Sequence, residues 1–457
     1  MAAKTQVPRG RNPGVRGGAV AQPQENRALL GLKMLFLLRN ILALFFSLAT
    51  VALAQLNEIG LKDAIKYALA NNKNLQADRK QLDIAAGRLK QAGLRANPML
   101  ETSGLSGLMD SSMQSGSVMM TLPLEAGGRR ARRIEVAERE LQRLRYEVAE
   151  RERRLTADVR IKYGEAVEAQ RNLDLSNRLL ELNQNTYRII QARVTEGASA
   201  PLEQNQLQVE VSKLDAQKQT YIARVAVLRE ELKALLGTEE DLRWRDEFVA
   251  LPVALGKEEL LQAAFNSRPD LQAARAAEAV AAAMIEQAKT EGKYDLSLFA
   301  ELGFQRWRFD QFGFAHDGAL EQVGMRTGMV RAGVSLTLPL RNKNQGNIEA
   351  AVAASEEARL RREFVETMIR REVTAAYVRW EGAARVLKTY DTELLAAAQN
   401  NLRVVRSSFD LGYSRITEVL AEQRRLVEVQ MSYTAALKEY YVARTELETV
   451  TGAELGK

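Results

Sequence analysis

The residue types that most often carry nucleophilic or metal chemistry are nearly absent from this chain. It contains no cysteine and one histidine, His316. Thiolate nucleophiles, disulfides, zinc clusters and a serine–histidine–aspartate triad are therefore excluded, and one histidine does not make a metal site. No other set of residues indicates an active site. We predict that the protein is not an enzyme and binds no metal or cofactor.

Four clustered arginines are the strongest candidates for contact with phosphate: Arg129, Arg130, Arg132 and Arg133. A nucleic-acid surface would need excess positive charge in the folded part of the chain. Residues 1–54, however, hold seven of the lysines and arginines against one glutamate, so they carry nearly all of the net charge of +7. Nucleic acid is therefore discounted. Contact with lipid headgroups stays open for the four arginines, and ordinary ion pairs at a solvated helix start are favoured.

An export signal explains the charge at the beginning of the chain. Residues 34–54 read MLFLLRNILALFFSLATVALA and end in an A-x-A cleavage site before Gln55. A cleaved signal peptide is predicted; the alternative is an uncleaved anchor, for which the apolar run is short. Residues 1–33 are predicted to be a disordered or spurious extension. Gln55 stands where a lipoprotein has cysteine, so no lipid anchor is expected. No later stretch suits a transmembrane helix, so a membrane-spanning part would be a barrel.

The remaining sequence repeats itself. Residues 72–76 resemble 267–272, and the Leu-Pro-Leu of 122–124 recurs at 338–340. Most equivalent positions lie about 215 residues apart, as Gly197 and Gly412 do. We predict a first repeat at 55–240, a linker at 241–257, a second repeat at 258–453 and a tail at 454–457.

Heptad spacing predicts long paired helices in both repeats. The first repeat has apolar residues at Leu207, Val211, Leu214, Tyr221, Val225, Leu228, Leu232 and Leu235. The second has Leu426, Val429, Tyr433, Ala436, Tyr440, Ala443, Leu447 and Val450 in the same register, with Tyr433 in the place of Lys218. Residues 128–194 and 344–408 are predicted to be the partner helices, the first about 100 Å long at about 1.5 Å per residue. Gly197 and Gly412 mark the hairpin turns.

Between the helices, alternating apolar residues predict four strands. They cover 118–124, 294–304 and 330–340, with a weaker segment at about 98–105. Loops are predicted at 106–116 and 305–329, the second containing His316. Pro123, Gly127, Gly128 and Pro339 are predicted to form the strand–helix junctions. Four strands cannot close a barrel, whereas three chains would supply twelve.

This order of elements resembles the TolC-like outer-membrane efflux factors over residues 56–453. The junction sequence LPLEAGGRRARR at 122–133 is similar to that of the cobalt–zinc–cadmium branch, and FDLGYSRITEVL at 409–420 resembles the family's periplasmic tip. The resemblance implies a mainly α protomer of a trimer: a twelve-stranded outer-membrane barrel continued by a twelve-helix periplasmic tunnel. It further implies a passive exit duct for metal ions or small toxic compounds, contacting outer-membrane lipid, a periplasmic adaptor and an inner-membrane pump.

The resemblance also assigns functional positions. It places Glu418 in a carboxylate ring at the pore constriction, with Arg415 and Asp410 as candidate partners and Glu203 as its counterpart in the first repeat. Gly197, Gly412 and Ser414 would lie where the adaptor docks. For the three lesser members of the constriction, solvated helix charges are the favoured alternative. Two other functions stay open: a type I protein-secretion channel, and a structural periplasmic coiled coil.

Overall fold

The computed structural model describes residues 58–106, 112–248 and 252–452. The predicted signal peptide, the extension before it and the tail at 454–457 lie outside the described residues. The chain divides into two units, Met1–Glu58 and Ile59–Lys457, and the second contains the helices and a four-stranded sheet. None of the helices in the described part is both long and apolar enough to cross a lipid bilayer.

Nine α-helices occur in the described residues, and the same order of short pairs and long hairpins is found in both halves. The first half contains α1 (Leu61–Asn71), α2 (Lys73–Ala92), α3 (Arg129–Thr195) and α4 (Pro201–Leu236). The second half contains α5 (Lys257–Ser267), α6 (Pro269–Glu291), α7 (Gln345–Thr389), α8 (Leu395–Asp410) and α9 (Ile416–Thr451). The prediction of a long helix from 128 to 194 is confirmed, since α3 is 67 residues long.

The predicted long helical segment over 344–408 is confirmed, since the chain is helical from Gln345 to Asp410 without a break. The structure adds one π-helical turn that the sequence did not predict. This turn, Tyr390–Leu394, lies between α7 and α8. Tyr390 packs against the buried central cluster, and the hydroxyl of Tyr433 lies 3.4 Å from a carboxylate oxygen of Asp391. An extra residue in one turn shifts the helix face by about 100°. Heptad spacing on α9 does not reveal such a shift in its partner.

Four long strands form one antiparallel sheet. They are β2 (Met99–Ser106), β3 (Met113–Leu124), β5 (Asp295–Phe314) and β6 (Leu320–Thr337), and they lie side by side in that order. Two short strands, β1 (Glu58–Ile59) and β4 (Arg243–Trp244), pair separately beside the helices. The long strands β2 and β6 are the edges of the sheet within one chain.

The predicted loop at 305–329 is wrong. Strand β5 continues to Phe314, and β6 begins at Leu320, so only a short turn with Gly318 at φ 83° remains. The pairing is regular through Arg308↔Gly324, with one irregularity before Phe312. Glycine, arginine and aspartate are poor strand formers, but an antiparallel ladder overrides local preference. For the same reason β3 begins at Met113, inside the loop predicted at 106–116.

A central core joins the helices of both halves near the short strands. Tyr163 of α3 is buried, and its hydroxyl lies 3.2 Å from the carbonyl oxygen of Ile59 and 2.5 Å from that of Arg245. Burial raises the pKa of this phenol well above its usual range, so it is a neutral hydrogen-bond donor. It thereby fixes the short strands on α3.

Candidate pore tip and strand–helix junction

The two helical hairpins turn at the predicted glycines. Gly197 has φ 77° and Gly412 has φ 82°, a left-handed conformation that favours glycine. Pro201 is the first residue of α4, where its missing N–H is harmless. Ser414 lies half-buried in the second turn.

A small hydrophobic cluster fixes the two hairpin ends to each other. Ile190 of α3 and Leu207 of α4 are buried against Ile416 and Leu420 of α9. Since four large side chains leave water here, the two turns form one packed end rather than two independent loops. We call this end the pore tip.

The predicted constriction residues are close in sequence to members of this cluster, and most of them are exposed. Glu418 is the third residue of α9 and is exposed, as is Asp410 at the end of α8. Arg415 precedes α9 as its exposed N-cap residue, and Glu203 is half-buried in the first turn of α4. Within the described part of one chain, no ion pair of 4.0 Å or less involves any of these four residues. The expected pairing with Arg415 is therefore not present inside one chain.

An ion pair that the sequence analysis missed links the hairpins beside the tip. Glu210 of α4 is only 6% exposed, and one of its carboxylate oxygens accepts hydrogen bonds from Arg424 of α9 at 2.9 Å (Nε) and 2.6 Å (Nη2). A cavity of about 540 Å³ lies beside the pair, and Asn183 and Lys213 are among its lining residues. Burial of the carboxylate makes its partner necessary, because an unpaired charge there would lose its hydration.

Nearly equivalent positions of the two repeats contact each other at this point. Glu210 and Arg424 are 214 residues apart, and so are Gln217 and Met431, whose side chains also contact each other. The repeat spacing of about 215 residues could have indicated the pair, since opposite charges stand at nearly matching places in the two heptad patterns. The spacing alone does not say that α4 and α9 lie side by side.

The strand–helix junction contains the predicted prolines and glycines. Pro123 is the penultimate residue of β3 and lies opposite Ser297, while Pro339 follows the end of β6. Gly127 (φ 75°) and Gly128 (φ 85°) make the left-handed bend that leads into α3. An added Cβ at Gly127 would lie 3.1 Å from the side chain of Lys293, so the close approach also favours glycine.

Three of the four arginines that follow this bend donate to backbone carbonyls. Arg129 donates to the carbonyls of Thr290, Glu291 and Lys293 at 3.2, 3.0 and 2.7 Å, and it pairs with Asp295. Carbonyls at a helix C-terminus lack intrahelical partners, and a cation satisfies them well. Arg129 therefore holds the end of α6 against the start of α3.

The neighbouring arginines do the same for α2. Arg130 donates to the carbonyl of Gly93 at 2.7 Å, and Arg133 donates to that of Leu94 at 3.3 Å while pairing with Glu125. Arg132 forms an ordinary ion pair with Glu135 one turn away at 2.7 Å. The favoured prediction of simple solvated pairing is right for Arg132 and incomplete for the others.

Comparison with known sequences identifies relatives of this chain. The sequence model of the outer membrane efflux protein family matches residues 64–238 and 260–453. The cobalt-zinc-cadmium resistance protein CzcC of Cupriavidus metallidurans is 24% identical over 86% of this chain and 90% of its own length. The nickel-cobalt-cadmium resistance protein NccC of Alcaligenes xylosoxydans xylosoxydans is 26% identical over 65% of each chain.

Solved structures show the same architecture. CusC, whose crystal structures concern folding and transmembrane channel formation, superposes with a TM-score of 0.67 at 20% identity over 86% of this chain and 92% of its own. The open-state outer membrane channel MtrE of Neisseria gonorrhoeae gives 0.69 at 19% identity, over 86% and 89%. The predicted fold class is therefore confirmed.

The predicted function, location and partners are confirmed with it. The protein is an outer-membrane efflux channel that extends into the periplasm and works with an adaptor protein and an inner-membrane pump. The model match covers most of both halves of the sequence. The chain belongs to the outer membrane efflux protein family.

Proposed function

We propose that this channel is the exit duct for divalent metal cations. The observation that carries the proposal is the similarity to CzcC, a cobalt-zinc-cadmium resistance protein, along nearly the whole of both chains. In this proposal the chain is a passive conduit and not an enzyme. Selection of the metal rests with the pump.

A ring of carboxylates at the pore tip would suit such a cargo. Glu418 is exposed beside the packed tip cluster, and symmetry would place three copies around the axis of a trimer. Rings of acidic side chains attract cations in narrow pores. Asp410 and Glu203 add negative charge nearby, and Arg415 is the candidate partner across a subunit boundary.

The Glu210–Arg424 pair would hold the tip in its resting arrangement. It joins α4 to α9, so any opening that separates the two hairpins must break it. The adjoining cavity gives the helices room to shift without overpacking. In this proposal the pair sets the equilibrium between closed and open tips.

The hairpin turns would dock the adaptor. Gly197, Gly412 and Ser414 shape the two turns, and the second turn carries Leu411 and Tyr413, whose side chains are highly exposed. Exposed apolar residues next to each other favour a protein contact.

A deletion strain tests the proposed cargo. It should become sensitive to cobalt, zinc, cadmium or nickel, and the wild-type gene should restore tolerance. Sensitivity to antibiotics and detergents alone would contradict the metal assignment, and so would loss of a secreted protein without metal sensitivity.

Planar bilayers test the constriction. Glu418→Ala should give a larger open conductance and weaker cation preference than the wild type. The matched control is Glu239→Ala, which removes an exposed carboxylate in the segment after α4. Conductance and reversal potential equal to those of the control would place the constriction elsewhere.

A further inference from the structure

The four-stranded sheet has one face that is apolar along about nine residues. Even-numbered side chains of β5 and β6, from Leu296 to Phe304 and from Val330 to Leu336, share this face and are largely exposed in the single chain. The opposite face contains the ion pair Glu301–Arg331 at 3.2 Å. A polar inner face and an apolar outer face of about 9–11 residues per strand are typical of membrane-spanning strands. The even-numbered face therefore contacts lipid.

Three arginines follow this band on the same face. Arg306 of β5 and Arg326 of β6 are directly opposite each other, immediately beyond the pair Phe304↔Gly328. Arg308 lies two residues further along β5, opposite Gly324. We call these three residues the arginine row.

Nothing in the described part of the chain neutralises the arginine row. No carboxylate there lies within 4.0 Å of any of its guanidinium groups, and Asp310, two residues beyond Arg308, forms no such pair. Like charges directly opposite each other on neighbouring strands destabilise a sheet. The arginines at the helix junction, in contrast, are all bound to carbonyls or carboxylates. The arginine row thus lacks the kind of partner that the chain supplies elsewhere.

The position of the arginine row selects one side of the membrane. The helices join the sheet at the end marked by Leu124, Asp295 and Thr337. The helical part of the channel extends into the periplasm. The arginine row is at the other end of the apolar band, near the turn between Phe314 and Leu320. It is therefore level with the headgroups of the outer leaflet.

We propose that the arginine row binds the phosphate groups of outer-leaflet lipids. A guanidinium matches phosphate geometry with two parallel N–H donors, and three such groups within two residue rows would bind a lipid that carries more than one phosphate. Binding would offset the repulsion between Arg306 and Arg326, so the lipid also stabilises the β5–β6 hairpin. The binding site lies on the lipid-facing surface and is separate from the pore.

Native mass spectrometry of the detergent-solubilised channel tests the proposal. The probes are bisphosphoryl lipid A and its monophosphoryl form. The wild type should retain the bisphosphoryl lipid more tightly. The triple variant R306Q, R308Q and R326Q should bind it about 100-fold more weakly, since each cation near an anionic lipid surface contributes about fivefold. The control is R188Q, R403Q and R406Q, the same charge change at exposed helical positions, which should bind as the wild type does.

Each of the following outcomes would overturn the proposal. Equal lipid affinity in the triple variant and the control would remove the arginine row from binding. Equal affinity of the wild type for the two lipids would mean that phosphate is not what is recognised. Displacement of the lipid by millimolar inorganic phosphate would indicate a site for a free anion instead. A triple variant that fails to assemble is replaced by the single variant R326K, which keeps the charge and loses the bidentate geometry; it should show intermediate affinity, and wild-type affinity would count against the proposal.

Discussion

Breaking the link between Glu210 and Arg424 should favour the open tip. Arg424→Met removes the cation and leaves a buried carboxylate without its partner, whereas Glu210→Gln keeps a neutral acceptor for the arginine. Hydrogen bonds to charged groups contribute about 1.5–3 kcal/mol each, and the lower end applies because Arg424 remains half exposed to water. About 1.5 kcal/mol corresponds to roughly a tenfold shift in the ratio of closed to open channels.

Single-channel recording in planar bilayers measures this shift as open probability. Arg424→Met should raise it about tenfold, and Glu210→Gln should raise it less. Arg425→Met is the matched control, because Arg425 pairs with Glu422 of its own helix at 2.7 Å. Thermal unfolding of both single variants and the double variant closes a double-mutant cycle, which should give a coupling of about 1.5 kcal/mol. An open probability of Arg424→Met equal to that of Arg425→Met would refute a gating role, even if the coupling is found.

Two further changes test the packing of the helices. Gly237→Ala should lower the free energy of unfolding by about 2 kcal/mol or more, because φ is 71° and the new Cβ would lie 2.6 Å from the carbonyl oxygen of Asn71. The control is Gly128→Ala, which has φ 85° but open space around the new Cβ and should cost only about 1 kcal/mol in the same thermal unfolding assay. Equal losses in the two variants would count against the clash at Gly237. Arg268 is buried between α6, α7 and α9 and bonds Asp270, so although burial alone would raise the pKa of Asp270, the arginine lowers it below its usual range. The carboxyl of Asp270 therefore has a lower pKa in the folded chain than in the unfolded chain. Its contribution to the free energy of unfolding is complete above about pH 4 and disappears as the pH falls through the folded pKa. Arg268→Met should flatten this acid dependence of the apparent melting temperature, and an unchanged slope would contradict the assignment.

Local patterns in the sequence predicted most elements of the fold. Heptad spacing located α3, α4 and α9, and the turns at Gly197 and Gly412 followed from residues that favour a left-handed backbone. These features depend on interactions within a few residues, so one stretch of sequence is enough to reveal them. The strands were found wherever apolar alternation was clean.

Where pairing replaced local preference, prediction from the sequence failed. The far parts of β5 and β6 contain arginines and glycines that suggested a loop, and only the ladder between them, Arg306↔Arg326 included, makes them strands. The π-helical turn at Tyr390 likewise depends on packing against a helix more than forty residues away. Contacts at such separation leave no periodic trace in either segment alone.

The sequence by itself predicted an exported, internally repeated chain built of long helices and a few strands. It also located the charged residues of the pore tip. Only the tertiary structure decided which charges have partners: Arg129 binds helix carbonyls, Glu210 is buried against Arg424, and the arginine row has none among the described residues. The physical reason is that periodicity reports which face of an element is apolar, whereas the partner of a charge depends on which elements come together in space.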